Sequence, residues 1–116
     1  MAIPADVTAR ARAALSMLRD DRADIVRFDS DAGEDIRVYT GLPCHLSRTT
    51  LPPQSGEDTA AVSTVRYTLY LAPETELRQG DAVTVTHRGQ TIRGAAGPPL
   101  RGALSLAVTL ESVVVS

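Results

Sequence analysis

Few residues in this chain are equipped for chemistry, and their spacing limits what they can do. The one cysteine, Cys44, precedes His45, and this is the closest approach in sequence of a thiol to an imidazole. A thiolate nucleophile needs its base on the same side. Neighbours in a strand point to opposite faces, so Cys44 and His45 do not form such a pair, and a packing role is expected for Cys44. One Cys and two His are too few for a structural zinc site of the all-Cys/His kind. His87 precedes Arg88-Gly89, a predicted turn, and is expected to be solvent-exposed there. The acidic stretch 29–35 has carboxylates at alternate positions, as a calcium loop does. Gly33 and Glu34, however, stand where such a loop needs an oxygen ligand and then a glycine, so a solvated hairpin turn is expected. The glycine-rich stretch 94–102 lacks the Lys-Ser/Thr ending of a phosphate loop, and Pro98 and Pro99 remove amides that such a site would use. No G-x-S-x-G elbow occurs. These patterns predict no catalytic residue, no metal ligands and no cofactor.

The elements that position these residues are legible from side-chain period. Val65, Tyr67, Leu69 and Leu71 fall on one face of a strand, with Thr64, Arg66, Thr68 and Tyr70 on the other, and Pro73 ends it. After Gly80-Asp81, Val83 and Val85 alternate with Thr84 and Thr86. Arg88-Gly89 then turns the chain into 90–93 as a tight hairpin, with Gly89 supplying a positive φ. Residues 23–29 read as a short strand with Ile25, Val26 and Phe28. A second strand runs from Ile36 to about Leu46 and is interrupted by Gly41 and Pro43, which predicts a bend, a bulge or an edge. Leu104, Leu106, Val108 and Leu110 alternate with polar and small residues in a last long strand, reached through a linker at 94–102. The apolar tail 113–115 is expected to pair in the sheet.

Two segments depart from this pattern. Residues 4–18 carry an apolar stripe of Val7, Ala11, Ala14, Leu15 and Leu18 at helical spacing. The helix packs on the sheet or docks on a neighbouring subunit, and Val7, Leu15 and Leu18 are the docking candidates. Residues 47–61 hold almost no apolar side chain, with Pro52-Pro53 stiffening one part and Ser55-Gly56 loosening the next. So long a polar loop in a small domain is functional or unstructured, and it is the leading functional candidate.

The 116 residues suffice for one domain with one modest core. Aromatic residues make up only 3%, so Val, Leu, Ile and Ala must fill that core, with Phe28, Tyr39, Tyr67 and Tyr70 as its large pieces. A lone cysteine permits no disulfide within the chain. No apolar run reaches membrane-spanning length and no export signal is visible, so a soluble protein made in the cytoplasm is expected. All twelve basic residues are Arg and the net charge is −2, which argues against strong nucleic-acid binding. The expected fold is mainly β: a small antiparallel barrel or sandwich of about six strands in a single domain, 1–116. Residues 1–21 form the helix and linker, and 22–116 form the barrel with its loop at 47–61.

The order of these features resembles the small head-closure (stopper, head-to-tail connector) proteins of tailed bacteriophages. A strand near Tyr39-Thr40-Gly41 is followed by a long polar loop, by Tyr67-Thr-Leu-Tyr-Leu-Ala-Pro73 and then by Gly80-Asp81-Ala-Val83. The resemblance covers most of the chain from Ile25 onward. It implies a structural virion protein of the neck, made in the host cytoplasm and assembled as a ring, commonly a dodecamer. Such a ring lies between portal and adaptor proteins on the head side and tail-terminator or tail-tube proteins on the tail side. It also implies that the long loop points into a channel through which DNA passes without sequence-specific binding. By position, the channel-facing residues are Thr49, Thr50, Gln54, Glu57 and Asp58. Two other readings are a small oligonucleotide-binding-like barrel for single-stranded nucleic acid and a tail-completion or tail-terminator ring protein.

Overall fold

Leu69 and Leu71 have no exposed surface while Tyr70 between them and Arg66 before them face outward, which is the alternation their sequence demands. A computed structural model describes residue 7 and residues 9–11, 19–51 and 64–116. Seven strands follow in order: β1 (Asp21–Asp29), β2 (Glu34–Leu51), β3 (Thr64–Leu71), β4 (Ala82–His87), β5 (Gln90–Ala96), the two-residue β6 (Leu100–Arg101) and β7 (Leu106–Val115). Six of them close an antiparallel barrel in the order β1-β2-β3-β7-β5-β4 and back to β1, while β6 adds to β7. Closure pairs each of these six strands on both sides over part of its length. At the N-terminus Val7 and residues 9–11 are helical, and the rest of the expected helix lies outside the described residues. Among the described residues no helix is long and apolar enough to cross a membrane.

The core is aliphatic, as the composition requires. Ile25, Leu69, Leu71, Val83, Val85, Leu106 and Val108 are its largest fully buried side chains apart from Cys44. Tyr39 and Tyr67 pack partly against it, but Phe28 is 65% exposed and Tyr70 is exposed as well. The expectation that all four aromatic residues fill the core is thus corrected. Phe28 lies past the last β1–β4 pair, Val26 with Ala82, so no wall stands behind it.

Other boundaries move for equally local reasons. Strand β1 starts at Asp21, so the linker is shorter than expected. Residues 47–51, expected to open the long loop, continue β2 because their amides find a ladder in β3, from Ser47 opposite Thr68 to Leu51 opposite Thr64. Thr and Arg side chains on an exposed strand face look like a loop in sequence. The predicted linker 94–102 is likewise partly strand, with 94–96 in β5 and 100–101 in β6, whereas Leu104 precedes β7 instead of joining it. Gly97 passes so close to β7 that a Cβ there would stand 2.8 Å from the Thr109 carbonyl.

Bends occur where the sequence marks them. Gly41 adopts φ +62 beside shifts of register between β1 and β2, which lets one long strand pair first with β1 and then with β3. The β4–β5 turn has positive φ at both Arg88 and Gly89, the geometry that matches the twist of a two-residue hairpin. The apolar tail pairs with β5 to its end, where Ser116 and Thr91 exchange backbone hydrogen bonds.

Candidate functional site

Chain direction separates the barrel into two ends. At one lie the β1–β2 turn and the connections 72–81 and 97–105; at the other lie the end of β2, the start of β3, the β4–β5 turn, the start of β1 and the end of β7. A buried aspartate ties strands together at each end.

At the first end, Asp81 is 3% exposed and takes a two-pronged ion pair from Arg27, with Nε to Oδ1 at 2.9 Å and Nη2 to Oδ2 at 2.8 Å. The Arg78 amide donates to the same carboxylate, and the Asp81 carbonyl accepts from Ala96. Burial alone would raise the Asp81 pKa. The hydrogen bonds from Arg27 and the Arg78 amide outweigh it and leave the carboxyl below its ordinary range, while the bond to Asp81 raises the Arg27 pKa. Arg101 donates to the carbonyls of Pro73 and Thr75, which pins the neighbouring connection down. This end is a structural latch, and the Gly80-Asp81 pair of the sequence motif is its fastener.

At the second end, Asp21 is 2% exposed. Its Oδ2 accepts from the Leu46 amide at 2.9 Å and its Oδ1 lies 2.7 Å from His87 Nδ1. His87 is therefore half-buried and partnered, which corrects the expectation of a solvent-exposed turn residue. Sequence reasoning missed the pair because Asp21 and His87 are far apart in the chain and meet only when β1 pairs with β4. His45 Nδ1 approaches Asp20 Oδ1 at 3.7 Å, and its ring stacks on Tyr70 with centroids 6.3 Å apart. The ligand atoms of Asp20, Asp21 and His45 lie within 4.8 Å of one another. Asp21 has already committed both oxygens to holding β2 and the β4–β5 turn, so this cluster too reads as a fastening.

Cys44 and His45 point to opposite faces as expected. Cys44 has no exposed surface, and burial, reinforced by the nearby Asp21 charge, pushes its thiol pKa up to about 12. Such a thiol carries essentially no thiolate at neutral pH and is inert as a nucleophile.

Around the Asp21 fastening the second end stays open. The β3–β7 ladder stops at Thr68 opposite Thr109, and β7 then follows β5 alone, with a bulge where Ser112 takes φ +54. The parting strands leave a cleft of about 340 Å³ lined by Leu46, Tyr67, Ile92 and Val115, with Arg48, His87 and Gln90 contributing polar groups. Arg48, Arg66, Arg88 and Arg93 are exposed at or near this end and have no ion pair among the described residues.

Of the candidate channel residues, Thr49 and Thr50 belong to this same end. Thr49 and Thr50 are exposed on β2 at the base of the 52–63 connection, opposite Arg66 and Val65. Gln54, Glu57 and Asp58 lie outside the described residues. Of the docking candidates, Val7 is 48% exposed, and Leu15 and Leu18 lie outside the described residues. Comparison of the chain with protein-family models, with curated proteins and with solved structures finds no match.

Proposed function

We propose that this chain is a structural protein of the tailed-bacteriophage neck. Copies assemble as a ring, a dodecamer by resemblance, between portal and adaptor proteins and the tail-terminator or tail-tube proteins, and DNA passes through the ring. The observation that carries this reading is the shape of the barrel. β2 ends and β3 begins at one end of a closed wall, with Thr49 and Thr50 exposed on β2 there.

In a ring, a segment too small to fill an axial hole is repeated once per copy, so together the copies close it. Glu57 and Asp58 within the 52–63 connection supply repeated negative charge, which repels phosphate and lets DNA slide. The chemistry of the described residues is compatible with a scaffold: the thiol is buried and both buried aspartates are engaged in holding strands. A nucleic-acid-binding surface would need a row of aromatic platforms. Here Tyr39 and Tyr67 pack against the core, Tyr70 stacks on His45, and Phe28 stands apart on the β1–β2 hairpin.

The test is to add the protein to DNA-filled heads lacking their neck and to follow head closure by electron microscopy and DNA retention. Rings at the portal vertex and retained DNA are expected. A variant with 52–63 replaced by a short turn should fold and form rings but let DNA leak. Heads that stay full with that variant would remove the plug role. Absence of binding to heads, together with salt-dependent binding of single-stranded DNA by the monomer, would replace the neck reading with a nucleic-acid-binding barrel.

A further inference from the structure

Strand β1 pairs with β4 only as far as Val26, and β2 meets β3 only from His45 onward. The backbones of residues 27–36 therefore pair only with one another and project from the wall as a two-stranded arm, anchored at its root by the Arg27–Asp81 ion pair. Phe28 stands on this arm directly opposite Asp35, so an exposed phenyl ring and a carboxylate share one face. Asp29, Asp31 and Glu34 complete the tip. None of these four carboxylates has an ion pair among the described residues, although Asp29 accepts the Asp31 amide. Arg27 is held by Asp81 and Arg37, at the root of the arm, lies 4.0 Å from Asp24, so the tip around the apolar knob is net negative.

The cleft at the other end is its inverse. Leu46, Tyr67, Ile92 and Val115 make an apolar floor, Arg48 lies at its lip, and Arg88 stands on the adjoining turn. Polarity and charge sign are complementary to the arm. The two features lie at opposite ends of the barrel, so one copy cannot satisfy itself. We propose that the β1–β2 arm of one copy seats Phe28 in the cleft of a second copy, with Asp35 and its neighbours meeting Arg48 and Arg88. This names the subunit contact of the proposed ring and rests on that reading. Burying an aromatic ring of roughly 150–250 Å² supplies the attraction, and the charges set orientation and exclude arm-to-arm or cleft-to-cleft pairing. Because arm and cleft are different surfaces, the contact is head-to-tail. Repeated, it closes a ring or grows a filament, whereas a like-to-like contact stops at a dimer.

Sedimentation velocity and light scattering on the full chain test the contact, with Phe28→Ser, an arm variant (Glu34→Arg with Asp35→Arg) and a cleft variant (Arg48→Glu with Arg88→Glu). All five positions are exposed, so thermal unfolding should stay at the wild-type midpoint. Wild type should associate, and more weakly as salt rises. Phe28→Ser should raise the dissociation constant about 30-fold or more, as loss of a central anchor does. Neither charge variant should associate alone, because arm and cleft then carry the same sign. An equimolar mixture should assemble, since each arm meets an opposite cleft. Assembly of Phe28→Ser at wild-type strength would overturn the contact while leaving the ring reading standing. The same holds if assembly is lost only in the cleft variant and the mixture stays apart, which gives the cleft to another occupant. A wild-type chain that stays monomeric at millimolar concentration also overturns it, and the ring is then judged by the head-binding experiment alone.

Discussion

The two ends of the barrel use the same device for different outcomes. Each has one buried aspartate joining β1 to more distant parts of the chain: Asp81 through Arg27, and Asp21 through its own amide ladder, the Leu46 amide and His87. At the Asp81 end the surrounding connections are drawn in by further bonds from Arg101 and from Ala96. At the Asp21 end β3 and β7 part after Thr68 and Thr109, leaving a cleft beside arginines that have no ion pair among the described residues. A buried carboxylate fastens strands at either end, and the cleft between β3 and β7 forms where neighbouring strands diverge.

The largest expected effect touches what both ends share. Leu69 lies at the centre of the core with no exposed surface, and Leu69→Asp would bury an unpaired charge. That costs several kcal/mol, comparable to the roughly 5–15 kcal/mol stability of a whole domain. The variant should show no cooperative transition by circular dichroism; normal melting would mean that β3 is misplaced.

Next comes the Asp81 end. Asp81→Asn leaves the Arg27 guanidinium without its carboxylate and should destabilise by about 3–5 kcal/mol in urea titrations. The wild-type contribution also has a defined pH dependence. The folded-state pKa of Asp81 lies below its unfolded value, so its stabilisation is complete above the unfolded pKa. It fades as the pH falls through the folded one. Wild type should therefore lose stability on acidification more steeply than Asp81→Asn; parallel curves would show that the pair is not engaged.

The open end should respond least. His87→Ala removes one partner of Asp21 while the Leu46 amide keeps the other, and a loss of about 1–3 kcal/mol is expected. If the two ends are independent, His87→Ala and Asp81→Asn should add within about 0.5 kcal/mol. A coupling much larger than that would dissolve the distinction between them.

The sequence by itself determined the elements whose cause is local. The period of Val65, Tyr67, Leu69 and Leu71, the Arg88-Gly89 turn and the break at Gly41 are decided within a few residues, because strand faces and positive φ depend on neighbours alone. A mainly β, roughly six-stranded barrel followed from their number and short spacing. Only the tertiary structure decided which polar segments are strand, since 47–51 and 94–96 are held by ladder partners far along the chain. It alone brought Asp21 to His87 and Arg27 to Asp81, because register across β1 and its neighbours sets those meetings. It also exposed Phe28 on an arm and opened a cleft at the opposite end. Both depend on where neighbouring strands stop pairing, and that is a property of the assembled sheet, which no single segment encodes.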